Sequence, residues 1–137
     1  DLGPVAAVRW FCREFESVYV DVHLQLDLAL SDADVPEALG IVVFRSLQEL
    51  MNNVAKHAAA KTVHVRLWRD ERELTLVVLD DGVGIAEPTA GATAEGMGLR
   101  NLRERARLAR GQLVQTSRLG EGTEVRITWP LDEESSA

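Results

Sequence analysis

The stretch Asp80-Asp81-Gly82-Val83-Gly84 decides how the rest of this chain is interpreted. It follows the apolar run Leu74–Leu79, which predicts a buried strand. An aspartate just past such a strand can accept a hydrogen bond from an exocyclic amine such as adenine N6. Two glycines remove side chains where a ring would approach the backbone. Asp-Gly pairs are also common in turns, so the stretch predicts either part of a nucleotide pocket or an ordinary turn.

A long predicted helix upstream carries a polar face. At about 100° per residue, Glu49, Asn53, Lys56 and His57 fall on one side of it, whereas Asn52 points elsewhere. A carboxylate, an amide oxygen and a cation on one face suit Mg²⁺ and phosphate oxygens. The same pattern is typical of a solvated helix face with i,i+4 pairs. Asn53, rather than Asn52, is therefore the candidate asparagine.

A second glycine pair, Gly96-Met97-Gly98-Leu99, precedes another predicted helix. Backbone N–H groups at a helix N-terminus favour phosphate oxygens. The pair does not fit the dinucleotide fingerprint, which needs a preceding strand and a third glycine. Thr123 follows Gly122 at the start of a predicted strand, where its hydroxyl serves either a ligand or the turn.

Residues 84–97 form the longest predicted loop. Within them, Ile85 to Glu95 are rich in Ala, Gly, Thr and Pro and have almost no large apolar side chain. Such composition indicates a mobile segment. We expect it to close over a ligand and to exchange its amide hydrogens quickly when no ligand is bound.

Composition limits the classes of protein that fit this chain. Its 137 residues are enough for one domain with a real core. A net charge of -7 argues against binding nucleic acid, though not against one nucleotide. Its single cysteine, Cys12, excludes an internal disulfide and fits a reducing compartment. No apolar stretch reaches the roughly 18 residues that cross a membrane. We therefore expect a cytoplasmic domain, with any membrane anchor of the full-length protein outside this sequence, and a disordered tail over residues 132–137.

Hydrophobic periodicity predicts a two-layer α/β sandwich with helices on one face of a mixed, mostly antiparallel sheet. Three strand pairs are joined by turns too short for parallel crossovers. The predicted helices are Pro4 to Ser17, Pro36 to Ala60, and Gly98 to Arg110 ended by Gly111; the predicted strands are Val18 to Leu28, Thr62 to Trp68, Glu73 to Leu79, Gln112 to Ser117 and Glu124 to Trp129.

In their order and spacing, these motifs resemble those of the GHKL superfamily of ATP-binding domains. Glu49-x-x-x-Asn53 is similar to its N box, Asp80-x-Gly82-x-Gly84 to its G1 box, and Gly96-x-Gly98-Leu99 to its G2 box. Residues 48–58, 96–105 and 120–130 follow the motifs of bacterial sensor histidine kinases of the nitrate/nitrite-sensor type. The resemblance covers nearly the whole chain and implies the Bergerat-type ATP-binding fold.

The resemblance implies a role for each matching position. Asn53 would coordinate Mg²⁺, Glu49 would assist at the metal or its water, and Lys56 would contact phosphate. Asp80 would bind adenine N6, supported by Thr123. Residues 84–97 would form the ATP lid. The remaining positions of the implied nucleotide site are Gly82, Gly84, Gly96, Gly98, His57, Met97 and Leu99.

The resemblance also implies a reaction and its partners. Such kinases transfer the γ-phosphoryl group of ATP to a histidine on a dimerising helical hairpin. None of His23, His57 or His64 lies in such a context. The chain is therefore expected to be a monomeric catalytic domain that is not self-sufficient. Its partners would be the dimerisation and phosphoacceptor domain of a homodimeric full-length protein, and a downstream response regulator.

Two alternatives stay open at this stage, one a related ATP-using regulator and one of another class. An anti-sigma-type serine kinase shares the N and G1 boxes, but the helix containing Arg103-Glu104-Arg105 and the Gly122-Thr123 ending disfavour it. The other is a nucleotide-binding regulatory module that does not hydrolyse ATP. Met51-Asn52 stands where the subfamily usually has Leu-Thr, and this departure bears on the metal geometry.

Overall fold

The computed structural model describes residues 3–83, 97–118 and 120–131. The described part contains three α-helices, five strands, one short 3₁₀ turn and one π-helical turn. In chain order these are α1 (Pro4–Val18), β1 (His23–Leu28), the 3₁₀ turn (Asp32–Asp34), α2 (Glu37–Asn53), the π turn (Val54–Ala58), β2 (Thr62–Arg69), β3 (Glu73–Asp80), α3 (Met97–Leu108), β4 (Gln112–Arg118) and β5 (Gly122–Pro130).

The five strands form one mixed sheet in the order β1-β2-β3-β5-β4. β1 and β2 are parallel, and the other three pairs are antiparallel. Two of those antiparallel pairs are hairpins, whereas β3 and β5 are separated in sequence by α3 and β4. Parallel pairing of β1 with β2 requires a crossover, which α2 supplies. The mostly antiparallel α/β fold predicted from the sequence is confirmed, although only two of the three expected short turns join neighbouring strands.

Alternate residues of the central strands make the core. On β2 and β3 the residues that face the helices are fully or nearly fully buried, as period-two patterning requires. They pack with the apolar stripe of α2 and with Trp129 of β5. The inward-facing residues of β2 and β3 are Val63, Val65, Leu67, Leu74, Leu76 and Val78. This packing fixes the ends of β3 and β5 beneath the helical layer.

The strand predicted from residue 18 is wrong over its first five residues. α1 continues to Val18, which is 67% exposed, and the Tyr19 N–H then donates to the Phe15 carbonyl at 2.9 Å. The rings of Phe15 and Tyr19 lie 4.5 Å apart and hold this helix end. β1 begins only at His23. The valines that alternate along this segment belong to a helix end and a turn, so period two there does not indicate a strand.

The end of α3 also differs from the prediction. Arg110 takes the left-handed conformation, at φ 63°, rather than Gly111. Gly111 is needed for space instead: a Cβ there would lie 2.6 Å from the Thr128 carbonyl oxygen and 2.7 Å from Trp129 Cδ1. The chain turns from α3 into β4 against the end of β5, and only a residue without a side chain fits.

The long helix predicted from 36 to 60 is divided. α2 ends at Asn53, and the next five residues form a π-helical turn. The Val54 N–H is shared between the carbonyls of Leu50 and Met51, and Ala59 ends the turn with a φ of 52°. π turns inside helices are rare and recur at functional sites. This one carries two of the polar residues predicted to bind a ligand.

Candidate functional site

Asp80 is the last residue of β3 and the only ionisable residue among the buried polar residues of the described chain. Its side chain is on the helix-facing side of the sheet, and its Oδ1 accepts the Gly82 N–H at 2.8 Å. Burial raises the pKa of the Asp80 carboxyl, with hydrogen bonds from the Gly82 and Thr123 backbones opposing that increase. A carboxylate kept in a desolvated position at a strand end is a strong hydrogen-bond acceptor for a ligand.

The neighbouring aspartate has a structural role. Asp81 is exposed, and its Oδ1 accepts the backbone N–H groups of Lys61 and Thr62 at 2.8 and 2.9 Å. Hydrogen bonds from Thr62 first, and then from Lys61, lower the pKa of the Asp81 carboxyl. Asp81 therefore ties the end of β3 to the start of β2, and the carboxylate of Asp80 takes no part in that contact.

A row of three polar side chains crosses the sheet at this end. Asp80 pairs with Thr123 on β5, and Thr123 pairs with Ser117 on β4. Directly paired residues of neighbouring strands lie on the same face, here the face that carries the helices. The hydroxyl oxygens of Ser117 and Thr123 are 2.8 Å apart, and the Ser117 hydroxyl also donates to the Gly122 carbonyl at 3.2 Å.

Sequence reasoning missed Ser117. It precedes Thr123 by six residues, and nothing in the sequence alone fixes the register of the hairpin between them. The Arg118–Gly122 pair closes that hairpin, and this register places Ser117 opposite Thr123. Without that register, the Ser117 hydroxyl could not be recognised as a neighbour of Thr123.

The turn between β4 and β5 packs tightly against the end of β3. Gly122 has a φ of +90°, and a Cβ at this position would collide with the carbonyl oxygen of Asp80. The Gly120 N–H donates to the Val83 carbonyl at 2.5 Å. This close approach holds Thr123 beside Asp80 and explains why the turn needs glycine at position 122.

The predicted metal-binding residues lie at the end of α2. Glu49 and Asn53 are one helical turn apart and half-buried, whereas Asn52 is exposed. Lys56 is exposed and belongs to the π turn, as does His57. Because a π-helix turns less per residue than an α-helix, these two residues lag behind the positions that regular helical geometry predicts.

The donors at this helix end fit a magnesium ion that has few protein ligands. Carboxylate and amide oxygens are the hard ligands that Mg²⁺ takes, and it keeps several waters and phosphate oxygens as well. Within the described ranges, no group of three or more His, Cys, Asp or Glu residues is arranged to hold a metal ion. Glu49 and Asn53 would therefore supply only part of a coordination shell.

The remaining predicted residues divide into two groups. Gly82 is buried directly after Asp80, and the side chain of Leu99 packs into the core, so Leu99 would meet a ligand only through its backbone. Met97 and Gly98 form the first turn of α3. Gly84, Gly96 and the predicted lid up to residue 96 lie outside the described residues, as does the tail from 132 to 137.

The chain belongs to the family of histidine kinase-, DNA gyrase B- and HSP90-like ATPases, whose pattern matches residues 40–133. This confirms the resemblance found in the sequence and means that the fold is one that uses a nucleotide. No described helix is long and apolar enough to cross a membrane.

Two relatives of known name are signal transduction histidine-protein kinase/phosphatases. The chain is 33% identical over 130 residues to the signal transduction histidine-protein kinase/phosphatase UhpB of Salmonella typhimurium, covering 95% of this chain and 25% of that protein. It is 29% identical over 136 residues to the histidine-protein kinase/phosphatase DegS of Brevibacillus brevis, covering 98% and 34%. The chain thus spans a quarter to a third of the length of these relatives.

A solved structure supports the fold. The histidine kinase domain of the blue-light activated histidine kinase EL346 from Erythrobacter litoralis matches with a TM-score of 0.78 at 21% identity. The match covers 97% of this chain and 63% of that chain.

Proposed function

We propose that this chain is the ATP-binding catalytic domain of a two-component sensor histidine kinase. It binds Mg-ATP and transfers the γ-phosphoryl group to a histidine on a dimerisation domain. The observation that carries the proposal is the buried carboxylate of Asp80 at the end of β3, paired with Thr123 and covered by the Gly122 turn. The relationship to UhpB and DegS favours a histidine kinase over the serine-kinase alternative.

In this proposal the chain's own residues bind and orient the nucleotide. Asp80 accepts a hydrogen bond from the adenine 6-amino group, and Gly82 leaves room for the ring. Lys56 neutralises phosphate charge, while Glu49 and Asn53 would hold the metal. A bound Mg²⁺ would supply charge neutralisation at the β- and γ-phosphate oxygens.

The reaction needs a group that this chain is not proposed to supply. An imidazole nitrogen of the partner domain attacks the γ-phosphorus, a P–N bond forms, the bond to the ADP oxygen breaks, and the ring proton is released. His23 lies on edge strand β1, His64 lies on β2, and His57 belongs to the π turn at the metal end. We therefore assign the acceptor histidine to a separate hairpin domain. From that phosphohistidine the phosphoryl group would pass to a response regulator.

The proposal extends to assembly and location. The domain alone is a monomer, while the full-length protein is a homodimer through its dimerisation hairpin. The domain works in the cytoplasm, where ATP is present.

Two measurements test the proposed function. Calorimetry with a non-hydrolysable ATP analogue should show binding that strengthens when Mg²⁺ is added. With radiolabelled ATP, the chain alone should incorporate no acid-labile phosphate, and an added cognate hairpin domain should become labelled, though weakly because the tether's effective concentration is lost. Strong labelling of the isolated chain at one of its own histidines, or no nucleotide binding at all, would refute the proposal. Labelling of a serine in an added partner would instead favour the serine-kinase alternative.

A further inference from the structure

Arg105 carries a buried donor that has no acceptor. Its side chain is half-buried on α3, and its Nη1 atom has no hydrogen-bond partner among the residues that the structure describes. A buried guanidinium N–H without an acceptor costs free energy, and such atoms are rare in proteins. The nearest arginines along the helix are bonded. Arg103 donates to the Leu113 carbonyl at 2.8 Å, and Arg107 donates to Glu104 at 2.9 Å.

The flank of α3 that carries Arg105 faces α2. α3 packs on α2, β4 and β5. At about 100° per residue, Arg103 and Arg105 lie about 160° apart around this helix. Arg103 covers the outer edge of β4, which is the last strand on that side of the sheet. Arg105 therefore lies on the opposite flank, at the contact with α2.

On α2 the matching flank carries the predicted metal ligands. Phe44 packs against Phe11 of α1, with ring centroids 5.8 Å apart, so this side of α2 faces α1. Ser46 lies about 160° around the helix from Phe44 and is only 1% exposed, because α3 covers that side. Glu49 and Asn53 lie within about 60° of Ser46 and are half-buried. The carboxylate and the amide that would hold the metal are therefore on the side of α2 that meets α3.

Glu49 and Arg105 also lie at similar heights in this contact. α2 runs toward the Asp80 end of the sheet, whereas α3 ends at Gly111 against Thr128 at the other end, so the two helices are antiparallel. Counting about 1.5 Å per residue, Glu49 is about 6 Å from the end of α2 and Arg105 about 12 Å from the start of α3. Side chains on a helix lean toward its N-terminus, so in antiparallel helices these two lean toward each other.

We infer that Arg105 is a positioning residue that holds the carboxylate of Glu49 at the metal when Mg-ATP binds. This inference rests on the proposed function and adds a residue to its metal site. In the described part of the chain the two side chains form no ion pair, so the pair would close as the nucleotide binds. A carboxylate that binds a metal usually accepts a hydrogen bond from a second residue, which fixes its orientation. A guanidinium makes that bond charge-assisted, and the bond gives Nη1 the acceptor that it lacks.

Arg105→Met tests this role, because methionine is nearly as long but has no charge and no donor. A residue that only supports the fold would lose stability on this change. Removal of an unpaired buried donor should instead leave the free energy of unfolding unchanged or raise it. We expect the gain in ATP-analogue affinity on adding Mg²⁺ to fall about tenfold, the lower end of the usual loss when a residue that orients a metal ligand is removed. Urea denaturation and calorimetry measure the two quantities.

Two further comparisons identify the group on which Arg105 acts. Glu49→Gln should also reduce the gain, and in that background Arg105→Met should have almost no further effect, because the carboxylate that it orients is gone. If the two losses add instead, Arg105 acts on another group and the inference is wrong. Arg107→Met removes the same charge from an exposed position of α3 and should leave the gain unchanged. An equal fall in Arg107→Met would mean that only net charge matters, which would also refute the inference.

The inference and the proposed function fail in different ways. An unchanged gain in folded Arg105→Met, with binding of the ATP analogue intact, would overturn the inference and leave the proposed function in place. Absence of nucleotide binding in the parent chain would overturn both. If denaturation shows that Arg105→Met does not fold, Arg105→Gln takes its place, since it keeps a polar side chain without the charge, and the gain should again fall. An unchanged gain in folded Arg105→Gln would count equally against the inference.

Discussion

Asp81 and Thr62 form two hydrogen bonds with each other, and each residue donates one of them. The Oδ1 of Asp81 accepts the Thr62 N–H at 2.9 Å, and the Asp81 N–H donates to the Thr62 carbonyl at 3.2 Å. This closure at the end of β3 separates the tasks of two adjacent aspartates. The carboxylate of Asp81 holds the strand ends together. The buried carboxylate of Asp80 therefore makes no hydrogen bond to β2.

Substitutions at the two aspartates should affect different properties, nucleotide affinity at Asp80 and stability at Asp81. Asp80→Asn swaps an acceptor for an amide that can present a donor, and we expect it to weaken ATP-analogue binding by about 1–3 kcal/mol. Asp81→Ala should lower the free energy of unfolding while the folded fraction keeps nearly parental affinity. Calorimetry and urea denaturation of both variants measure these effects. Equal loss of affinity at the two positions would contradict the division of roles.

The pH dependence of stability should reveal the buried carboxylate. Burial raises the pKa of Asp80 above its ordinary value of 3.8, so its contribution favours the folded state below pH 3.8. That contribution is lost as pH rises through the raised value. Relative to the parent, Asp80→Asn should therefore gain stability as pH increases from 3.8 and keep the gain at neutral pH. Denaturation midpoints measured across this range check the sign, and a difference that does not vary with pH would argue against a desolvated carboxylate.

The two glycines of the β4–β5 turn offer a matched pair. Both have positive φ, at +82° for Gly120 and +90° for Gly122. A Cβ at Gly120 would meet no other atom within 4 Å, whereas a Cβ at Gly122 would collide with the backbone of Asp80. Gly120→Ala should cost about 1–2 kcal/mol of stability from conformational strain alone. Gly122→Ala should cost more and should also weaken nucleotide binding, since the displaced turn carries Thr123. Denaturation measures the stability of the two variants, and calorimetry measures their nucleotide affinity. Equal losses in both variants would refute the role of Gly122.

The two asparagines at the end of α2 test the metal assignment. Asn53 is half-buried on the side of Glu49, whereas Asn52 is exposed. Asn53→Ala should reduce the gain in ATP-analogue affinity on adding Mg²⁺ by about tenfold, the usual scale for a group near a metal. Asn52→Ala should leave that gain unchanged. A larger effect at Asn52 would show that the helical phase assigned to this face is wrong.

The sequence predicted the elements whose patterns are long and local. The alternation on β2 and β3 predicted those strands to within one residue, and the stripe on α2 predicted where that helix begins, because each buries one face against the same core. The π turn that ends α2 at Asn53 was not predicted. The aspartate at the end of β3 could also be found, since its place follows from the strand. What could not be found depends on contacts between distant residues. The register that sets Ser117 beside Thr123 is one example, and the ring contact that carries α1 through Val18 is another.

Each of the two outer edges of the sheet is covered by a charged side chain from a helix. On β1 the Leu24 N–H points outward, because His23 bonds to β2, and it donates to Glu16 of α1 at 3.3 Å. On β4 the alternation of paired residues places the Leu113 carbonyl outward, where Arg103 of α3 donates to it at 2.8 Å.

Removing both covers should allow copies of the chain to pair at their edges, because uncovered edges are templates for strand addition. The double variant Glu16→Ala/Arg103→Ala is expected to self-associate at concentrations where the parent is monomeric, as measured by light scattering after size-exclusion chromatography. Glu14→Ala/Arg107→Ala makes the same charge change at exposed positions of the same two helices and should stay monomeric. If the edge variant folds and remains as monomeric as this control, the two side chains do not protect the sheet.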